Sequence, residues 1–164
     1  MRETINLGDG VILRPASIAD IRTVTRLMRP LDRKECEIAN DLDPRPNDFK
    51  EGVWAILHNG SHVGFGGFVG ICGESVLSHR RGFFFLSTTY VNSIKVLFVK
   101  KSRLVFQTLA NMMPSYVDTV LVAPLKEYTS SIRWLKKVLG FREEYDREWN
   151  GEVFTILKKE KERK

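Results

Sequence analysis

The side chains best able to do chemistry are sparse in this chain of 164 residues. Three histidines (His58, His62, His79) and two cysteines (Cys36, Cys72) make up the soft and titratable set. Their spacing matches no structural zinc pattern and no partner motif accompanies them, so no metal is expected. Cys36 lies between Glu35 and Glu37, and flanking carboxylates disfavour the thiolate that a nucleophile needs. Serine, histidine and aspartate are all present, yet no G-x-S-x-G elbow presents a serine nucleophile. The glycines of GFGGFVG (Gly64, Gly66, Gly67, Gly70) are not spaced as G-x-G-x-x-G, and no Lys-Ser/Thr pair follows. They fall inside a strand-like run, where glycine marks close backbone packing or a bulge. Residue types alone nominate no catalytic group.

Charge is more informative. The chain carries +6 overall, and no acid occurs between Glu74 and Asp118. Arg80, Arg81, Lys95, Lys100, Lys101 and Arg103 give that stretch a local +6. A one-sign segment can concentrate an anionic ligand, or it can simply solvate one helix face. The last seven residues, KKEKERK, add +3 and read as a frayed basic tail. No homeodomain, zinc-finger or RNP signature accompanies the bases, so nucleic acid is not the expected partner. A nucleotide-containing small molecule suits the same charge.

These groups must be positioned by an ordinary globular fold. With 43% hydrophobic and 28% charged residues, the chain reads as one domain over residues 1–158 followed by a basic tail, 159–164. No run of about 18 uncharged apolar residues is present, which excludes a transmembrane helix. The start, MRETINLGDG, lacks the apolar core of a signal peptide. Two cysteines in different contexts make no disulfide framework, and the expected location is a reducing cytoplasm.

Residues 11–15 (VILRP) predict a short strand ended by proline. Ser17 with Asp20 three residues on forms a capping-box-like start, and Ile18, Ile21, Val24, Thr25 and Met28 recur at helical spacing to about residue 29. Pro30 stops that helix, and a second, more polar one is predicted over about 32–41. Pro44 and Pro46 break regular structure in DPRPND. Strands over 53–58 and 61–69 flank Asn59-Gly60, a hairpin signal. Residues 83–87 form a third apolar strand. Most of 92–113 reads as helix, with Ser102 as an alternative cap for a shorter one. Residues 117–122 form a buried strand, and Thr129 or Ser130 caps a helix that runs to Leu139, with Gly140 closing it. Strands over 141–147 and 152–157 surround Asn150-Gly151. Strands 83–87 and 117–122, joined by a helix, should lie parallel in a right-handed crossover. Trp54, Trp134 and Trp149 fall on these elements as core or half-buried groups, with a partner surface as the alternative for Trp149 beside its turn. The fold class is α/β with a central mixed, mostly antiparallel sheet flanked by helices.

This order, with the closing segment SIRWLKKVLGF (131–141) and the front end VILRPASIADI (11–21), resembles the GCN5-related N-acetyltransferase (GNAT) superfamily. The segments FFLSTTYV (84–91), VDTV (117–120), TSSIRWLKK (129–137) and NGEVFTI (150–156) are similar to a small GNAT-like family of tailed bacteriophages, which includes the T7-type internal virion protein A. The superfamily resemblance implies acetyl-CoA as cofactor and transfer of its acetyl group to an amine acceptor. It implies that the pantetheine arm runs along the backbone of Phe85, Leu86 and Ser87, with Lys100, Lys101 and Arg103 supplying charge for the phosphates. The usual pyrophosphate motif is glycine-rich, whereas no glycine occurs here from Phe83 to Leu139. The usual general-acid tyrosine, four residues before Gly-Phe, is Lys136 here, and Tyr90 and Tyr128 lie off that position. The expectation is therefore an N-acetyltransferase with degenerate cofactor and general-acid motifs. Its alternative is a catalytically silent, virion-associated assembly protein or host-takeover factor that binds phage or host proteins. Either would work in the host cytoplasm, the second also in the virion.

Overall fold

The computed structural model describes residues 3–38, 52–71, 74–75 and 77–161. Eight strands and four helices follow one another as β1 (Ile5–Gly8), β2 (Val11–Pro15), α1 (Ile18–Leu27), α2 (Pro30–Ile38), β3 (Val53–His58), β4 (Ser61–Val69), β5 (Arg80–Ser87), α3 (Lys95–Ala110), β6 (Thr119–Val122), α4 (Thr129–Lys137), β7 (Arg142–Trp149) and β8 (Glu152–Glu160). A single turn of 3-10 helix, Thr89–Ser93, precedes α3. The strands form one mixed sheet in the order β1-β2-β3-β4-β5-β6-β8-β7. The β5–β6 pair is parallel, and the pairs β1–β2, β2–β3, β3–β4, β6–β8 and β7–β8 are antiparallel.

By contacts the chain divides into two compact units: Met1–Gly67 with Phe85–Val105, and Phe68–Phe84 with Phe106–Lys164. The first unit packs Leu13, Val24 and Phe65, each fully buried, with the central strand β3, whose first five residues are all buried. Ser17 caps α1 as the sequence predicts: its hydroxyl accepts the Asp20 amide, and the Asp20 carboxylate accepts the Ser17 amide. Asn59 and Gly60 take φ values of 48° and 83°, the left-handed pair that lets β3 fold back as β4. Two glycines of the GFGGFVG run are close-packing positions. A Cβ at Gly64 would stand 2.3 Å from the Leu86 carbonyl oxygen, and one at Gly67 only 1.8 Å from that of Gly52.

The second unit is built on Phe68, Phe83, Phe106 and Phe141, whose rings meet edge-on or tilted at 5.2–5.7 Å. Leu125, Tyr128, Leu139 and Leu157 are buried to 2% or less. Asn150 and Gly151, at φ 50° and 81°, turn the second hairpin as their sequence requires.

Several expectations need correction. β1 has no strand signal in its four residues, INLG, yet it pairs with β2 across the Asp9-Gly10 turn. Pro30 both ends α1 and opens α2, because a first-turn proline lacks only an amide that would go unpaired. Ser102 is not a cap; it is buried inside α3 and its hydroxyl donates to the Val99 carbonyl. Neither Thr129 nor Ser130 caps α4: the cap position is Tyr128, with no side-chain cap bond. Lys158, Lys159 and Glu160 are not frayed but belong to β8, paired with Leu121, Val120 and Thr119. The DPRPND segment lies outside the described residues.

Candidate functional site

β5 hydrogen-bonds to β6 only through Arg80–Gly82, opposite Thr119–Leu121, and then continues from Phe83 to Ser87. Apolar residues make that second half a strand, and its end is fixed in the first unit. Ser87 is buried, and its amide and hydroxyl both donate to Asp32 Oδ2 of α2, at 2.9 and 2.7 Å. Its carbonyl accepts the Arg29 amide at 3.0 Å. Thr88, also buried, donates its amide to Val63 and its hydroxyl to the His62 carbonyl. The end of β5 is therefore held by hydrogen bonds with Asp32, Arg29 and the backbone of His62 and Val63.

The next seven residues reverse the chain into α3. The Val91 amide bonds to Thr88, that of Ile94 to Val91, and that of Phe98 to Ile94. The three amides of Lys95, Val96 and Leu97 thus precede the first helical hydrogen bond, as at any helix start, and meet no acceptor among the described residues. Lys95 and Val96 are exposed, Val96 to 84%. Aligned peptide dipoles place partial positive charge at this exposed end.

Two side-chain pairs hold the turn. Tyr90 Oη lies 2.7 Å from His58 Nδ1, with the rings stacked at 5.9 Å. The Asn59 side-chain amide lies 3.3 Å from His58 Nε2, so both ring nitrogens of His58 have a partner. Phe85 stacks on Phe98 at 5.7 Å, tying β5 to the first turn of α3.

The six sequence-predicted cofactor residues take different roles. Phe85, Leu86 and Ser87 share the second half of β5, with Ser87 already engaged by Asp32. Lys101 is committed to the fold: its ammonium donates to the Leu7 carbonyl at 2.7 Å and pairs with Asp9 at 3.0 Å. The Lys101 hydrogen bond and charge, with Lys100 beyond, hold the Asp9 carboxyl below its ordinary range. Lys100 is 70% exposed and 3.9 Å from Asp9, so its charge faces solvent. Arg103 is exposed further along α3. Arg80 and Arg81, at the start of β5, are engaged in the second unit, Arg80 by Glu74 at 2.6 Å and Arg81 by the Ser78 carbonyl.

Sequence reasoning missed Asp32 and the His58–Tyr90 pair. Asp32 sits in a polar helix with nothing to mark it, and its partner is 55 residues away. Among the described histidines, His62 serves Asp20, a salt-bridge acceptor that also binds Arg14. Cys36 is buried against Met28; Cys72 lies outside the described residues.

No family model and no curated protein matches the sequence. Solved structures do match. RimL, the ribosomal L7/L12 alpha-N-protein acetyltransferase in complex with coenzyme A, has a TM-score of 0.67 at 9% identity, over 96% of this chain and 98% of that one. A GNAT-family acetyltransferase from Bacillus anthracis scores 0.66 at 14% identity, over 96% and 98%. YncA from Salmonella typhimurium, solved with its cofactor acetyl-CoA, scores 0.65 at 14% identity, over 92% and 93%. With eight strands in a mostly antiparallel sheet, one parallel β-α-β crossover and four helices, the chain has the GNAT acetyltransferase fold.

Proposed function

We propose that the protein is an acyl-CoA-dependent N-acyltransferase that moves an acetyl group to an amine. The observation that carries this reading is the strand-turn-helix of β5 and α3, where β5 outruns its parallel ladder and an exposed helix start follows. Two of the similar solved structures, RimL and YncA, are described with coenzyme A or acetyl-CoA. The residues present fit such a group. The amides of Lys95, Val96 and Leu97 are available to phosphate oxygens, and Lys95 and Lys100 add mobile positive charge. Lys95 and Val96, the first two side chains of α3, are exposed beside these amides.

Acetyl-CoA would supply an activated thioester; the remaining work falls to the chain. The backbone of Phe85 and Leu86 would align the pantetheine arm by strand-like hydrogen bonds. Asp32 and Arg29, by holding Ser87, keep that strand end from moving. His58 holds the Tyr90 ring, and so fixes the turn that aims the helix amides. Lys101 acts by holding α3 to the β1 end rather than by touching the cofactor.

The finer placement, in the tailed-phage GNAT-like family, rests on the segments 84–91, 117–120, 129–137 and 150–156. The amine acceptor and a host-cytoplasmic location belong to the same proposal.

Titration calorimetry with acetyl-CoA at low and physiological salt tests the reading. The expected result is micromolar binding that weakens with salt, reduced three- to tenfold by Lys100→Glu. Absence of binding at millimolar acetyl-CoA would overturn it and leave a protein-binding scaffold.

A further inference from the structure

The second unit carries a groove of about 350 Å³ between α4 and the β7–β8 hairpin. One wall is cationic, formed by Arg133, Lys136 and Lys137 of α4; the other carries Glu143 and Asp146 of β7. A register shift between Glu143 and Tyr145 lets both acids face the helix side of the hairpin. Ile132 adds apolar surface, and the volume suits two or three amino-acid residues.

The two acids are already matched. Asp146 pairs with Lys126 at 2.6 Å and accepts the Thr155 hydroxyl, and Glu143 pairs with Lys136 at 3.3 Å. Arg133 and Lys137 have no acidic partner among the described residues. Four positions apart, they lie on one face of α4, about 6 Å apart along its axis. Alternate side chains of an extended peptide are separated by about 6.5–7 Å on the same side.

We propose that this groove binds an extended acidic peptide segment, with carboxylates at alternate positions meeting Arg133 and Lys137. The backbone N–H donors of a peptide favour it here over a polyphosphate or nucleic-acid strand. Oxygens of Glu143 and Asp146 can accept the N–H groups of a peptide, whereas a phosphate chain offers them only like charge. The proposal is independent of acetyl-CoA binding.

Fluorescence anisotropy with a fluorescein-labelled hexapeptide of alternating glutamate and alanine tests it on the full chain. The expected result is saturable binding that the double variant Arg133→Glu/Lys137→Glu weakens at least tenfold. Arg22→Glu/Arg26→Glu, the same charge change made on α1, should alter it less than threefold. Circular dichroism verifies that both variants are folded. No saturation at millimolar protein, equal loss in both double variants, or equal binding of the glutamine-for-glutamate peptide would each overturn the proposal. So would tighter binding of inorganic tripolyphosphate in competition, which would make the groove a phosphate site.

Discussion

Asp20 is 2% exposed, yet three donors converge on its carboxylate: Arg14 at 2.5 Å, His62 at 2.7 Å and the Ser17 amide at 3.0 Å. Burial alone would push its carboxyl upward; the Arg14, Ser17 and His62 hydrogen bonds together hold it well below the usual range. A carboxyl lowered in the folded state stabilises the protein above its unfolded value, roughly pH 4, and that stability is lost as the pH falls further. Asp20→Asn should therefore cost about 3 kcal/mol at pH 7 and flatten the acid limb of stability. Urea unfolding at pH 7 and pH 3 reads both effects, and an unchanged acid limb would assign it elsewhere. The Ser17–Asp20 cap was legible in the sequence because both partners lie within one helical turn. The His62 contact was not, since it joins residues 42 positions apart. The same distinction separates Lys100 from Lys101. Neighbours of equal charge, they differ because only the latter reaches the Leu7 carbonyl, 94 residues away.

Elements were legible where a local rule decides them. Asn59-Gly60 and Asn150-Gly151 specify their hairpins through left-handed φ angles, and Gly140, at φ +81°, follows α4 as its pattern requires. β1 escaped because four residues carry too little periodicity, and the β8 lysines escaped because composition looks the same in a strand as in a tail. The Lys159 ammonium in fact donates to the Leu139 carbonyl just beyond α4 and lies 5.3 Å over the Phe106 ring. At this scale Gly67 is the sensitive position. A methyl group there meets the Gly52 carbonyl oxygen at 1.8 Å, which forces backbone to move. Gly67→Ala should lower stability by about 1–3 kcal/mol, whereas Gly70→Ala, with open space around it, should change it far less. Paired thermal melts compare the two.

For the whole molecule, the mixed sheet with its parallel crossover could be anticipated from element order, and the solved structures agree with it over most of the chain at 9–15% identity. A fold shared at that distance says what can be positioned, not what reacts. The candidate site was half legible: the strand and its bases could be named, but not which of their polar groups the fold itself consumes. If acetyl-CoA binds the folded chain alone, mass action makes the test global. At a hundredfold excess over its dissociation constant it should add about 2.7 kcal/mol, seen as a higher melting temperature. The Lys100→Glu variant should need proportionately more cofactor for the same rise.

β7 ends the sheet, and all eight of its residues are exposed. Such a margin offers a row of backbone groups to any passing strand. Six of the eight residues, REEYDREW, are charged, in both signs, so a neighbour arriving in almost any alignment must bury a charge or set like against like. The charge pattern of this rim therefore disfavours edge-to-edge pairing with a second copy, while the helix side of the same hairpin is left open.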